Sequence, residues 1–127
     1  MAMSIGNVAF WVSDLERSTT FYRDGLGLDV IARIETAQVR EVIVGRRDTG
    51  SQLMLAHRVG HEGPVTPAGV WKVYLSTDDL DADCARAIRA GASVDTEPTH
   101  LKQFKITIAV LADPDGYLLE LGQVHPS

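Results

Sequence analysis

With 127 residues and a single cysteine, the chain fits one compact domain that builds its core without an internal disulfide. Its formal charge of −5, with acids and bases scattered along the chain, argues against a nucleic-acid partner, which calls for a basic stripe. No apolar run approaches the roughly 20 residues of a spanning helix and no basic-flanked leader opens the chain, so a cytoplasmic protein without a membrane partner is expected.

Residues 4–13 alternate, with Val8, Phe10 and Val12 on one face and Ile5, Asn7, Ala9 and Trp11 on the other, which predicts a strand. Asp14 is placed to cap a helix in which Leu15, Thr19, Tyr22 and Leu26 recur at helical spacing, and Gly25 and Gly27 end it. Extended segments rich in Val and Ile are expected near 28–36, 38–46 and 51–57, with Asp48-Thr-Gly50 as a turn. The unit reads βαβββ over 4–57. Glycines and prolines then mark a link at 58–67.

A second unit, 68–124, opens with a strand at 69–76 that puts Lys72 and Tyr74 on one face and Trp71, Val73 and Leu75 on the other. Asp78 or Asp79 caps the next helix, where Leu80, Cys84, Ala87 and Ile88 form the inward stripe and Gly91 the stop. Strands near 93–96, 103–112 and 116–124 follow, the last two joined by an Asp113-Pro-Asp-Gly116 turn.

The two units are copies. Asn7-Val-Ala-Phe-Trp-Val-Ser-Asp-Leu15 is echoed 65 residues later by Lys72-Val-Tyr-Leu-Ser-Thr-Asp-Asp-Leu80, and the glycine turn before Leu53-Met-Leu55 returns before Leu119-Glu-Leu121 at an offset of 66. A repeated unit of this size buries its apolar face against its copy, so a shared cavity is expected at the seam, with Asn7, Met54, Lys72 and Glu120 as the matched positions aimed at it.

Together, Val12-Ser-Asp-Leu15, Phe21-Tyr-Arg-Asp-Gly-Leu-Gly-Leu28 and Asp113-Pro-Asp-Gly-Tyr-Leu-Leu-Glu-Leu121 resemble the vicinal oxygen chelate superfamily, which contains glyoxalase I, bleomycin-resistance proteins, extradiol dioxygenases, fosfomycin-resistance enzymes and methylmalonyl-CoA epimerase. The resemblance covers nearly the whole chain, 1–127, as a single domain. It implies an α+β fold of paired βαβββ modules whose curved mixed sheets enclose a cavity, commonly in a homodimer. It also implies that metal ligands of the metal-using members would come from the first and fourth strands of each module, where Asn7, Met54, Lys72 and Glu120 stand. Only Glu120 matches that ligand pattern.

The chemistry of these four positions points the same way. A hard divalent ion wants several oxygen or imidazole donors, whereas Met54 is a poor ligand for it and the Lys72 ammonium carries donors only. Lys72 is therefore expected to pair with Glu120 in place of an ion, with no metal and no cofactor, so that neither charge is buried alone. Trp11 and Tyr74 share faces with Asn7 and Lys72 and would supply flat walls suited to a planar small molecule. His57 falls in the loop that opens the link and His61 within it, His100 ahead of a strand near a cavity mouth, and His125 in the tail. The leading expectation is a metal-independent small-molecule-binding protein. The alternatives are a divalent-metal lyase, isomerase or dioxygenase using Glu120, a metal-free enzyme with Lys72 as base or Schiff-base amine, and a module that serves only as a dimerising or regulatory partner.

Overall fold

The computed structural model describes residues 2–3 and 5–126; Met1 and Ser127, the expected domain limits, and Ser4, the expected first residue of the first strand, lie outside the described residues. Asp14 ends the first strand by turning its carboxylate back on the chain, where Oδ1 accepts from the Arg17 amide at 3.0 Å and starts α1 (Leu15–Thr20). α1 runs on into a π-helical turn, Phe21–Gly25. Gly25 is required there because a Cβ on it would come within 2.8 Å of the Ala90 side chain. In the second copy Asp79 caps α2 (Leu80–Arg89) by accepting from Ala82.

The strands form two four-stranded sheets of identical topology. β1 (Ala9–Trp11), β2 (Asp29–Glu35), β3 (Val39–Gly45) and β4 (Gln52–Arg58) lie in the order β1-β4-β3-β2, and β5 (Lys72–Ser76), β6 (Ser93–Leu101), β7 (Ile106–Ala112) and β8 (Leu118–Val124) in the order β5-β8-β7-β6. Each sheet is mixed: β1 runs parallel to β4 and β5 to β8, and the other pairs are antiparallel. This is the α+β arrangement of two βαβββ units.

Several boundaries differ from the sequence expectation, each for a physical reason. β1 keeps only three ladder pairs with β4, so the described part of the alternating run, 5–13, is strand only at its centre. β6 continues through Pro98 to Leu101 because it is an edge strand, where a missing amide costs no ladder bond, although its register shifts between Thr96 and Thr99. His100 therefore sits in a strand, not in a loop. The stripe of α2 buries Leu80, Cys84 and Ala87, but Ile88 is 44% exposed, at the helix end where the sheet no longer covers it.

The core lies between the sheets on their helix-bearing faces. Phe10, Val42, Val44 and Leu55 of the first sheet and Ala109, Leu111, Leu119 and Leu121 of the second form one cluster with Leu15, Tyr22, Leu80 and Ala87. At about 25 cal/mol per Å² of apolar area removed from water, the valine, leucine and phenylalanine side chains of this cluster each contribute about 1.5–3 kcal/mol to folding.

Candidate functional site

Strand register decides what the matched positions face. Lys72, Tyr74 and Glu120 alternate with the buried Leu119 and Leu121, and Tyr74 stands opposite Glu120 in the β5–β8 ladder, so all three project from the second sheet away from the helices. Lys72 Nζ donates to Glu120 Oε1 at 2.7 Å, and each side chain is only 14% exposed. The ammonium also lies 4.1 Å from the ring centre of Trp71 and 4.9 Å from that of Tyr74. A cation over two aromatic faces gains from their quadrupoles, which helps a half-withdrawn ammonium stay charged. The hydrogen bond to Glu120 raises the Lys72 pKa above the ordinary lysine range and outweighs desolvation, which acts the other way. A lysine held protonated in this manner is a poor Schiff-base amine.

Both rings remain open to a ligand, Trp71 at 74% and Tyr74 at 65% exposure. Strict alternation places Trp71 on the opposite face from Lys72. It immediately precedes β5, so strand alternation does not bind it, and its adjacency to Lys72 in the chain was the available signal.

Asn7 and Met54 occupy the corresponding places on the first sheet, where Ala9 stands opposite Met54 and Ile43 flanks Met54 from β3. Both are half-buried. Trp11 projects from the same face, 41% exposed, with the Arg58 guanidinium 4.6 Å from its ring centre. The four positions thus fall two to each sheet, on faces turned away from the seam within the chain. That seam is made by the helix-bearing faces because those carry the continuous apolar cluster.

The donor set does not suit a divalent ion. The one carboxylate, Glu120, is engaged by an ammonium, Met54 offers a thioether and Asn7 one amide oxygen. Among the described residues no group of three or more His, Cys, Asp or Glu side chains is placed to hold a metal. Three of the four histidines are used elsewhere: His57 Nδ1 bonds the Val12 carbonyl at 3.0 Å from within β4, not from the link, and His100 and His125 share the Thr107 hydroxyl at 3.1 and 2.6 Å.

A family model described as the Glyoxalase/Bleomycin resistance protein/Dioxygenase superfamily matches residues 4–121. A probable lactoylglutathione lyase of Vibrio cholerae is 28% identical over 116 residues, covering 88% of this chain and 84% of the relative. Among solved structures, TnmS3, an antibiotic binding protein from Streptomyces sp. CB03234, is 29% identical with a TM-score of 0.78, covering 98% of this chain and 99% of that one. Glyoxalase I from Zea mays shares the fold at a TM-score of 0.82 and 21% identity; the match covers 96% of this chain but 45% of the maize chain, so this protein spans less than half its length. The chain belongs to the Glyoxalase/Bleomycin resistance protein/Dioxygenase superfamily.

Proposed function

We propose that this protein binds a small planar organic molecule without a divalent metal and without transforming it. The observation that carries this reading is the Lys72 ammonium fixed by Glu120 at 2.7 Å between two largely exposed aromatic rings. Trp71 and Tyr74 offer flat apolar surface, and the remaining ammonium protons can donate to a carbonyl or hydroxyl oxygen of the ligand. The likeness to an antibiotic binding protein over nearly the full length of both chains supports the same class of ligand.

The site would be completed by a second copy of the chain. Trp11, Trp71, Tyr74 and Val124 leave apolar surface uncovered on or beside the outer sheet faces, and a homodimer that laid the first sheet of one copy against the second sheet of the other would gather Asn7 and Met54 beside Lys72 and Glu120. Sedimentation equilibrium tests this, with a dimer expected at micromolar concentration.

The binding test is titration of planar aromatic antibiotics into the full chain, following tryptophan fluorescence and mass spectra of the recovered ligand. Saturable quenching that chelator leaves unchanged, with ligand recovered intact, is expected. A divalent-metal lyase is the second reading, favoured by the names of the curated relatives. Lactoylglutathione lyase activity that appears on adding a divalent ion and disappears with Glu120→Gln would establish it in place of the first.

A further inference from the structure

The repeat makes two junctions between the modules, and they are not alike. At the first, the turn between β7 and β8 docks on the edge strand β1. Tyr117 lays its ring 4.2 Å from that of Phe10 and donates its hydroxyl to the Trp11 carbonyl at 2.7 Å. Asp115 accepts from the Ser13 amide at 3.2 Å and from Arg17 at 3.0 Å, and Tyr22 donates to Asp113 at 2.7 Å. Two tyrosines therefore fill this junction, both almost wholly buried.

At the second junction the offsets of the repeat put Ser51 where Tyr117 stands, Ala87 where Tyr22 stands, Leu75 in place of Phe10 and Ser76 in place of Trp11. The rings of Tyr117, Tyr22 and Phe10 have no counterpart there, and a cavity of about 710 Å³, lined by Ser51 and Leu75, opens between the turn from β3 to β4, the edge of β5 and α2. Its walls include Leu28, Val44, Leu53, Val73, Leu75 and Leu121. The charged groups at its rim are each paired: Asp83 accepts from the Thr77 hydroxyl and from Arg86 at 2.8 Å, Arg86 donates to the Gly25 carbonyl at 3.0 Å, and Arg46 pairs with the neighbouring Asp48 at 2.6 Å. The Thr77 amide faces β8, bonding Gly122 at 3.0 Å, so strand alternation turns the Ser76 carbonyl outward on the edge of β5 beside the cavity. No described side chain caps that carbonyl as Tyr117 caps Trp11.

We propose that this cavity is a second small-molecule site, selective for a neutral hydroxylated aromatic compound whose ring takes the place left by the missing tyrosine and whose hydroxyl donates to the Ser76 carbonyl. The apolar walls favour the ring, the internally paired rim offers no free charge to an ionic ligand, and an uncapped edge carbonyl accepts a phenolic proton. The site stands apart from Lys72 and Glu120, neither of which lines it, although Tyr74 borders both. It does not depend on the function proposed above.

The test uses naphthol and its methyl ether as probes of the full chain, read by methyl chemical shifts. Naphthol should shift the Leu53, Val73 and Leu75 methyls saturably, and the ether, which lacks the donor, should bind about tenfold more weakly, the order expected for one lost hydrogen bond. Ser51→Tyr, which restores the ring of the filled junction, should abolish those shifts. Should that variant fail to fold, Leu75→Phe narrows the same space and should weaken naphthol binding. Shifts confined to Ile108 and Val110 on the outer face, equal binding of the ether, absence of any saturable shift, or unaltered binding by a folded Ser51→Tyr protein would each overturn the proposal.

Discussion

The turn between β7 and β8 and the turn between β3 and β4 hold matched places in the repeat, but they anchor the molecule unequally. In the second copy Asp113 is 4% exposed and accepts from the Tyr22 hydroxyl and from the amides of Asp115 and Tyr117, each near 2.9 Å or closer. In the first copy the turn bonds only within its own module, Arg46 pairing with Asp48 at 2.6 Å, Thr49 with Ser51 at 3.2 Å, and Arg47 donating to the Val30 carbonyl of β2 at 2.8 Å, these turn residues all exposed. One backbone plan has produced a structural clasp at one end and an open rim at the other. The outer faces diverge in the same way, since one carries Asn7 and Met54 and the other a charged pair. Duplicated backbone geometry thus leaves each copy free to change its side chains, provided the helix-facing residues still fill the core.

The sharpest way to break this contrast is Asp113→Ala. It strands a buried hydroxyl and two amides, so a loss of about 3 kcal/mol in urea unfolding is expected, and a loss below about 1 kcal/mol would show that the clasp is not an anchor. Gly45→Ala comes next. A Cβ there would stand 1.9 Å from the Ser51 carbonyl oxygen, so the first turn must shift, at a cost of about 2 kcal/mol in the same assay. The second copy has Ala112 beside its turn, and Ala112→Gly should cost less than Gly45→Ala.

A pH titration sharpens the contrast between the outer faces. Because Glu120 raises the Lys72 pKa in the folded chain, the pair contributes stability that is complete below the unfolded lysine value of about 10.4 and is lost as pH rises through the higher folded value. The difference in melting temperature between the unsubstituted chain and Glu120→Gln should therefore be flat from pH 7 to about 10 and shrink above it. The smallest effect belongs to the open rim: Asp48→Ala breaks a surface pair and should leave the unfolding midpoint unchanged within error.

Helix starts at Asp14 and Asp79 were legible because a capping carboxylate needs only its own neighbours, and the turns because glycine marks them locally. The Lys72–Glu120 pairing was legible from alternation joined to the repeat. Trp71 was not, because alternation fails one residue outside a strand. The length of β6 was not, because the harmlessness of Pro98 depends on which edge of the sheet it occupies. Ile88 stands exposed at the end of the inward stripe because helical spacing gives a face but not how far the covering sheet extends.

What the sequence determined alone is the βαβββ plan, its duplication, and the side chains presented at matched strand positions, all consequences of short-range periodicity and capping. Only the tertiary structure decided that the modules meet through their helix-bearing faces, that Tyr22 and Tyr117 fill one junction, and that the other stands open. Those outcomes depend on which residues distant in the chain come together, and no local pattern of apolar spacing encodes the volume left between them.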